Sequence, residues 1–67
     1  MPVARVTEII AGSKKSFDDA IKTGFERASK TLRGITGFKV KEFKAHVEKN
    51  KIVEYRVKLD VIFLLED

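Results

Sequence analysis

Cysteine is absent from this chain of 67 residues, so neither a disulfide bond nor a thiolate-bound metal can stabilise the fold. Histidine occurs once, at His46, and a lone imidazole supplies neither a metal-ligand set nor a catalytic pair. No apolar run reaches the length of a membrane-spanning helix. These absences exclude a disulfide scaffold, a zinc domain and a transmembrane protein.

The chain is short and carries no export signal in its opening residues. Residues 1–6 lack the apolar core of a secretory signal peptide, so a soluble, cytoplasmic protein with no membrane partner is expected. The length predicts a single domain, residues 1–67, close to the lower size limit for an independent core. Because the chain has neither a disulfide bond nor a thiolate-bound metal, association between copies is the remaining way to stabilise so small a fold.

The charge of the chain does not indicate a nucleic-acid partner. Fourteen Lys and Arg residues against ten Asp and Glu residues give a net charge of +4. The basic residues are scattered and alternate with acidic ones such as Glu42 and Glu48, whereas nucleic-acid-binding proteins concentrate them on one face. We interpret the charge as a solvated surface.

No pattern of residues indicates catalysis. The serines Ser13, Ser16 and Ser29 have no general base in their sequence context. His46 falls at a polar position of a predicted hairpin, where it is expected to be solvated or paired with Glu54. The sequence therefore predicts a protein that is not an enzyme.

The last part of the chain alternates strictly between apolar and other side chains, which is typical of a strand with one dry face. The apolar odd positions are Val53, Tyr55, Val57, Leu59, Val61, Phe63 and Leu65. The even positions between them are first charged, but they become apolar at Ile62 and Leu64. The end of this strand is therefore apolar on both faces.

Two further strands precede it. The first is predicted over residues 3–10, with a connection at residues 11–15, and the second begins near Phe38. The apolar positions of the second strand change parity along its length, which indicates a β-bulge near Lys41–Glu42.

A hairpin joins the second and third strands. A three-residue loop, Lys49–Lys51, with positive φ at Asn50 or Lys51, would bring their apolar positions to one face. The resulting register sets His46 opposite Glu54, a favourable pair, and Lys44 opposite Arg56, an unfavourable pair of like charges.

One helix lies between the first two strands. Ser16 is the predicted N-cap, with Asp19 as its reciprocal partner three residues later. Apolar residues then recur at three- and four-residue spacing along one stripe: Phe17, Ala20, Ile21, Gly24, Phe25, Ala28 and Leu32. Gly34 is predicted to end the helix in the left-handed conformation.

This order defines an α+β fold, βαββ, in which a three-stranded antiparallel sheet of order 1-3-2 wraps around one helix. One helix covers one face of a sheet. The apolar residues Ile62 and Leu64 lie on the other face, so we expect a second copy of the chain to cover them.

The sequence, with this predicted fold, resembles the dodecin family over nearly its whole length. The segments that carry the resemblance are Gly12-Ser13, Ser16-Phe17, Arg27-Ala28, Thr31-Leu32, Phe38-Lys39-Val40 and the closing strand from Glu54 to Phe63. The resemblance implies a hollow homododecamer of 23 symmetry, held together by contacts with copies of itself. It also implies storage or sequestration of a small flavin-type ligand, riboflavin or FMN, at two-fold contacts between trimers.

The chain departs from the family at the implied ligand site. Flavin-binding dodecins carry a tryptophan that stacks on the flavin ring, and Gly37 occupies that position here. They carry a glutamine on the last strand, and Arg56 replaces it. The cofactor-binding positions implied are therefore Gly37, Phe38 and Arg56, with Phe38 as the nearest substitute for the ring-stacking residue, and flavin binding is expected to be weak or altered. The alternative is a flavin-free shell with a structural or cation-binding, calcium-type role.

Overall fold

The computed structural model describes residues 3–65, which form three strands and one helix. The elements are β1 (Ala4–Ser13), α1 (Phe17–Thr31), β2 (Ile35–Glu48) and β3 (Lys51–Leu64). Both strand pairs are antiparallel and the sheet order is β1-β3-β2, with the helix against β1 and β3. The predicted α+β fold and its strand order are confirmed.

Strand β1 is longer than predicted, because the chain stays in the sheet through Ser13. Ala11 pairs with Val57, and Gly12 with Arg56, where the sequence predicted a connection. Ala11 packs against the core cluster under the helix, whereas Gly12 lies on the opposite face of the sheet, where a Cβ would come within 3.0 Å of the Glu54 side chain. A Cβ on Gly24 would come within 2.8 Å of the Cβ of Ala11, so the helix and β1 pack at close range.

The helix begins with a side-chain cap. The Oγ of Ser16 accepts a hydrogen bond from the backbone N–H of Asp19 at 3.0 Å, as predicted. The Asp19 carboxylate does not return to the cap: its Oδ2 accepts from the Oγ of Ser13 at 2.6 Å. Ser13 is buried and its Oγ also accepts from the N–H of Lys15 at 2.9 Å, so the loop is joined to the helix.

The helix ends at Thr31, three residues before the predicted glycine. Leu32 caps it, with its N–H donating to the carbonyl of Ala28 at 2.9 Å. Gly34 then adopts φ +74, the positive φ that was predicted for it, and a Cβ there would lie 3.0 Å from the carbonyl oxygen of Leu64. The helix is neither long nor apolar enough to cross a membrane.

The core is small and lies between the helix and β3. Ala20, Val57 and Leu59 form the buried cluster, and all three are almost inaccessible to solvent. Val61 and Ala28 are buried as well. The odd positions of β3 therefore face the helix from Val57 to Val61, which confirms the alternation seen in the sequence.

Strands β2 and β3 form a long hairpin with several irregularities. The predicted bulge is present, as a register shift between Val40 and Glu42. The strand itself starts at Ile35, three residues earlier than predicted.

The hairpin turn differs from the prediction. The loop has two residues, Lys49 and Asn50, both with positive φ, so the predicted three-residue loop is wrong. A further bulge accounts for the difference: His46 pairs with Glu54 and Val47 with Ile52, leaving Val53 as the extra residue.

Candidate ligand-binding face

The sheet has a face that the helix does not cover, which we call the open face. Directly paired residues of antiparallel strands share a face, so the register identifies its members. The β1–β3 pairs on it are Ala4–Leu64, Val6–Ile62, Glu8–Asp60, Ile10–Lys58 and Gly12–Arg56. Aliphatic side chains cluster at one end of this face, and the rest of it is mainly charged, with Ile10 as an exposed aliphatic exception.

The open face is apolar where β3 ends. Val6 and Leu64 are 55% and 41% exposed, although both are aliphatic, and Ile62 is half-buried between its neighbours. Gly37 of β2 pairs with Ile62, which places it at this end. A Cβ added to Gly37 would meet no atom within 4 Å, so there is open space above its backbone.

The middle of the open face is charged. The Nζ of Lys41 lies 3.2 Å from an Oε of Glu8, so a side chain of β2 reaches across β3 to β1. The hydrogen bond that Lys41 donates to the Glu8 carboxylate raises the pKa of Lys41, and the nearby carboxylate of Asp60 adds to the effect. This pair connects the two edge strands of the sheet on the solvent side.

The far end of the open face is basic. Arg56 pairs with Gly12 on one side and with Lys44 on the other, and its Nε donates to the Oε1 of Glu54. A shallow depression of about 140 Å³ lies beside it, and its charged lining residues are Lys44, Arg56 and Lys58 with one carboxylate, Glu42. This geometry suits an anionic group, because the guanidinium offers several donors to a planar or tetrahedral oxyanion.

The structure separates the three predicted site residues. Gly37 and Arg56 share the open face, but their β3 positions, Ile62 and Arg56, are six residues apart, which is about 20 Å along a strand. Phe38 lies on the other side of the sheet, where its ring packs on Phe25 with a centroid distance of 5.7 Å.

The single histidine is exposed, as one of the two predicted alternatives has it, and it does not pair with Glu54. Its register opposite Glu54 is correct, but its Nε2 contacts an Oε of Glu48 at 3.2 Å, two residues along the same strand. Glu54 is occupied by Arg56 instead. In residues 3–65 no three His, Asp or Glu side chains converge as a metal site would require.

Sequence analysis missed the basic depression and the Lys41–Glu8 pair. The three basic residues of the depression come from two strands, so their proximity depends on register. The predicted pairing of Lys44 with Arg56 was the available signal, and we interpreted it only as an unfavourable pair of like charges. The bulge at Lys41 turns its side chain toward β1, which periodicity alone does not show.

The fold and the open face define a small α+β protein whose sheet is covered on one side only. A model of the family described as Dodecin matches residues 3–66. In sequence, the chain is 35% identical to the Dodecin of Thermus thermophilus over 65 residues, or 97% of this chain and 94% of that protein. The protein belongs to the dodecin family.

Solved structures agree with this assignment. The structure of dodecin from Streptomyces coelicolor matches with a TM-score of 0.93 at 32% identity, covering 98% of this chain and 94% of that chain. The calcium dodecin from Mycobacterium tuberculosis, described as having a calcium-binding site, matches with a TM-score of 0.83 at 30% identity, covering 96% and 91% of the two chains.

Proposed function

We propose that this protein forms a hollow homododecamer that binds and stores a small ligand without catalysing a reaction, and that it binds flavin weakly. Membership of the dodecin family supports the assembly and the class of ligand. The exposed aliphatic end of the open face supports it independently, because a surface formed by Val6, Ile62 and Leu64 is stabilised when a second copy covers it.

The observation that carries the proposal is the placement of Gly37 and Arg56. Both positions lie on the open face, yet about 20 Å of strand separates them. A single flavin ring cannot contact both within one protomer. A site that uses both positions therefore needs residues from two copies, as expected of a ligand bound at a contact between protomers.

The residues at these positions favour an anionic ligand over a neutral flavin ring. Gly37 offers no aromatic surface, and base–aromatic stacking is worth ~1–3 kcal/mol per ring, or about one to two decades of affinity. Arg56 offers donors and no acceptor for the edge of the ring. With Lys44 and Lys58 beside it, Arg56 is suited to a phosphate or carboxylate group of the ligand.

A paired titration tests this proposal. Riboflavin and FMN carry the same ring and differ by a phosphate, so fluorescence quenching with each on the assembled protein separates ring contacts from anion contacts. We expect the purified protein to be colourless, riboflavin to bind poorly, and FMN to bind more tightly, with a steeper dependence on salt. Submicromolar riboflavin binding, unchanged by salt, would contradict the proposal.

A second candidate is a flavin-free shell that binds divalent cations, favoured by the likeness to the calcium dodecin of Mycobacterium tuberculosis. Carboxylates from several copies would then supply the oxygen ligands that calcium prefers. Calorimetric titration of the metal-free protein with Ca²⁺ tests it, with Mg²⁺ as the control cation. Heat that saturates with Ca²⁺ and is absent with Mg²⁺ supports this role, and no saturable heat excludes it.

A further inference from the structure

The carboxylate of Glu54 binds the guanidinium of Arg56 on the open face. The two residues are two positions apart on β3, so their side chains project from the same face of the sheet. The Nε of Arg56 donates to the Oε1 of Glu54, and the two side chains form an ion pair. The residue that the proposed function assigns to an anionic ligand therefore already has an anionic partner in its own chain.

The neighbouring strand leaves room for the Glu54 side chain at Gly12. Gly12 pairs with Arg56, and a Cβ added to Gly12 would lie 3.0 Å from the Oε2 of Glu54 and 3.2 Å from its Cδ. Both distances are tighter than an ordinary van der Waals contact, so a larger residue at this position would displace the carboxylate. The absence of a side chain at Gly12 therefore lets the Glu54 carboxylate lie over β1, within reach of Arg56.

The Glu54 side chain is more enclosed than that of Glu48, a carboxylate near the turn of the same hairpin. Its exposed fraction is 32%, against 67% for Glu48. The strand β1 bounds Glu54 at Gly12, and Arg56 bounds it along β3. Because the Glu54 side chain is confined in this way, it loses less conformational entropy on pairing than a free surface carboxylate does.

The pair with Glu54 also offsets a repulsion between like charges. Arg56 is directly opposite Lys44, and Lys58 lies two residues further along the same face. Glu42 lines the depression beside them, but in the register it is opposite Lys58. Like charges that are directly opposite in a sheet destabilise it. Glu54 is therefore the carboxylate that balances Arg56 when no ligand is bound.

We infer that Glu54 is a tethered competitor for Arg56, and that it sets the affinity and the selectivity of the anion site. It occupies the guanidinium until an anionic group of the ligand displaces it. A partner on the same strand competes at a high effective concentration, so a ligand group must bind Arg56 better than a carboxylate does. This inference rests on the proposed function and names the residue that regulates its ligand site.

The competition favours a phosphate monoester over a carboxylate or a neutral ligand. At pH 7 a phosphate monoester carries about −1.5 to −2 charges and three acceptor oxygens, whereas a carboxylate carries a single charge and two oxygens. Only the phosphate therefore offers Arg56 more than Glu54 already does. Lys44 and Lys58 add positive charge beside the guanidinium, which increases the advantage of the more highly charged group.

Titration of FMN and riboflavin into four proteins tests the inference: the unmodified chain, Glu54→Gln, Arg56→Gln and the double variant. Glu54→Gln keeps the shape of the side chain and removes its charge. It should tighten FMN binding about two- to five-fold, the range for an exposed ion pair, and leave riboflavin binding unchanged. In the Arg56→Gln protein the same change should have no effect, because the guanidinium is absent. The control Glu48→Gln, with the same loss of charge, should leave both affinities unchanged.

A second variant displaces the carboxylate without changing any charge. Gly12→Ala places a Cβ against the Glu54 carboxylate, and the backbone of Gly12 does not have a positive φ that would strain alanine. It should tighten FMN binding in the same direction as Glu54→Gln, and it should add nothing in the protein that already carries Glu54→Gln. Light scattering of each variant checks that the comparison is made on the same assembly.

The outcomes separate this inference from the proposed function. A preference of the unmodified protein for FMN that Glu54→Gln does not increase would overturn the inference and leave the proposed function standing. An equal gain with and without Arg56, or from Glu48→Gln, would also overturn it, because the carboxylate would then act through net charge alone. A preference for FMN that appears only in Glu54→Gln would support the inference and contradict the proposed preference of the unmodified protein. No preference in either protein would overturn both.

Discussion

At the scale of single residues, the lack of a side chain has different consequences at two glycines. Gly24 lies in the helix and allows it to approach β1. A Cβ on Gly24 would lie 2.8 Å from the Cβ of Ala11 and 3.3 Å from a methyl group of Leu59. Gly37 lies in β2 with open space above it. Gly24 is part of the packed core, whereas the position of Gly37 on the open face is not filled by a side chain.

Replacing each glycine by alanine should therefore have opposite results. Gly24→Ala forces a methyl group into a filled space and should reduce the free energy of unfolding by ~1–3 kcal/mol. Gly37→Ala should change it little, and it serves as the control. Urea unfolding at one fixed protein concentration measures both. Equal losses from the two would contradict the helix–β1 contact described here.

The ligand preference also depends on single residues. Gly37→Trp combined with Arg56→Gln should restore an aromatic surface and an amide, and should raise riboflavin affinity by more than the two single changes together. The space above Gly37 admits the larger side chain, and its backbone does not have the positive φ that would strain it. Fluorescence titration of the four proteins in the cycle gives the coupling. Additive effects would show that the two positions do not share a ligand.

At the scale of elements, hydrogen bonds fix the start of the helix. Ser16 accepts from Asp19 N–H, and the Asp19 carboxylate accepts from Ser13, so one turn of backbone is held from both sides. Ser16→Ala removes the cap and should reduce the free energy of unfolding by about 1 kcal/mol. Ser29→Ala is the matched control, because the Ser29 hydroxyl is exposed and donates only to the Glu26 carbonyl. A silent Ser16→Ala would show that the cap is dispensable.

The elements themselves were largely predictable from the sequence. The alternation from Val57 to Val61 predicted β3, and the parity change near Lys41 predicted the bulge. Both features depend on periodicity within a single strand. The turn was predicted wrongly, since a two-residue loop with a bulge at Val53 and a three-residue loop bring the same side chains to one face. The predicted connection at residues 11–15 was also wrong at its start, because Ala11, Gly12 and Ser13 stay paired with β3 despite the weak strand propensity of glycine.

The candidate site was less predictable than the fold. Gly37 and Arg56 were identified by resemblance to a family, and the sheet then showed that they share a face and lie far apart. The basic depression depends on the pairing of Lys44 with Arg56 across two strands, so periodicity along one strand could not reveal it. A site completed by another copy has no signature within one chain.

At the scale of the whole molecule, the protomer is elongated and incompletely covered. Its radius of gyration is 13.9 Å, against about 11 Å for a compact domain of this length. Its core contains few large side chains, chiefly Val57, Leu59 and Val61. The stability of the fold is therefore expected to depend on protein concentration, as it does when subunits stabilise one another.

A substitution on the open face tests directly whether copies of the chain cover it. Ile62→Lys places a charge among the exposed aliphatic side chains of the open face and should dissociate the assembly into smaller species. Lys49→Glu changes the charge at the hairpin turn and should leave the assembly intact. Size-exclusion chromatography of the two variants at equal concentration distinguishes them. Equal elution volumes would show that the open face is not buried between copies.

The most direct test of the central claim is the mass of the unmodified protein in solution, measured by multi-angle light scattering at micromolar concentration. Twelve copies of a 7.6 kDa chain predict a single species of about 91 kDa that persists on dilution. A stable species of 7.6 kDa would contradict the account, because the exposed aliphatic residues of the open face would then face water.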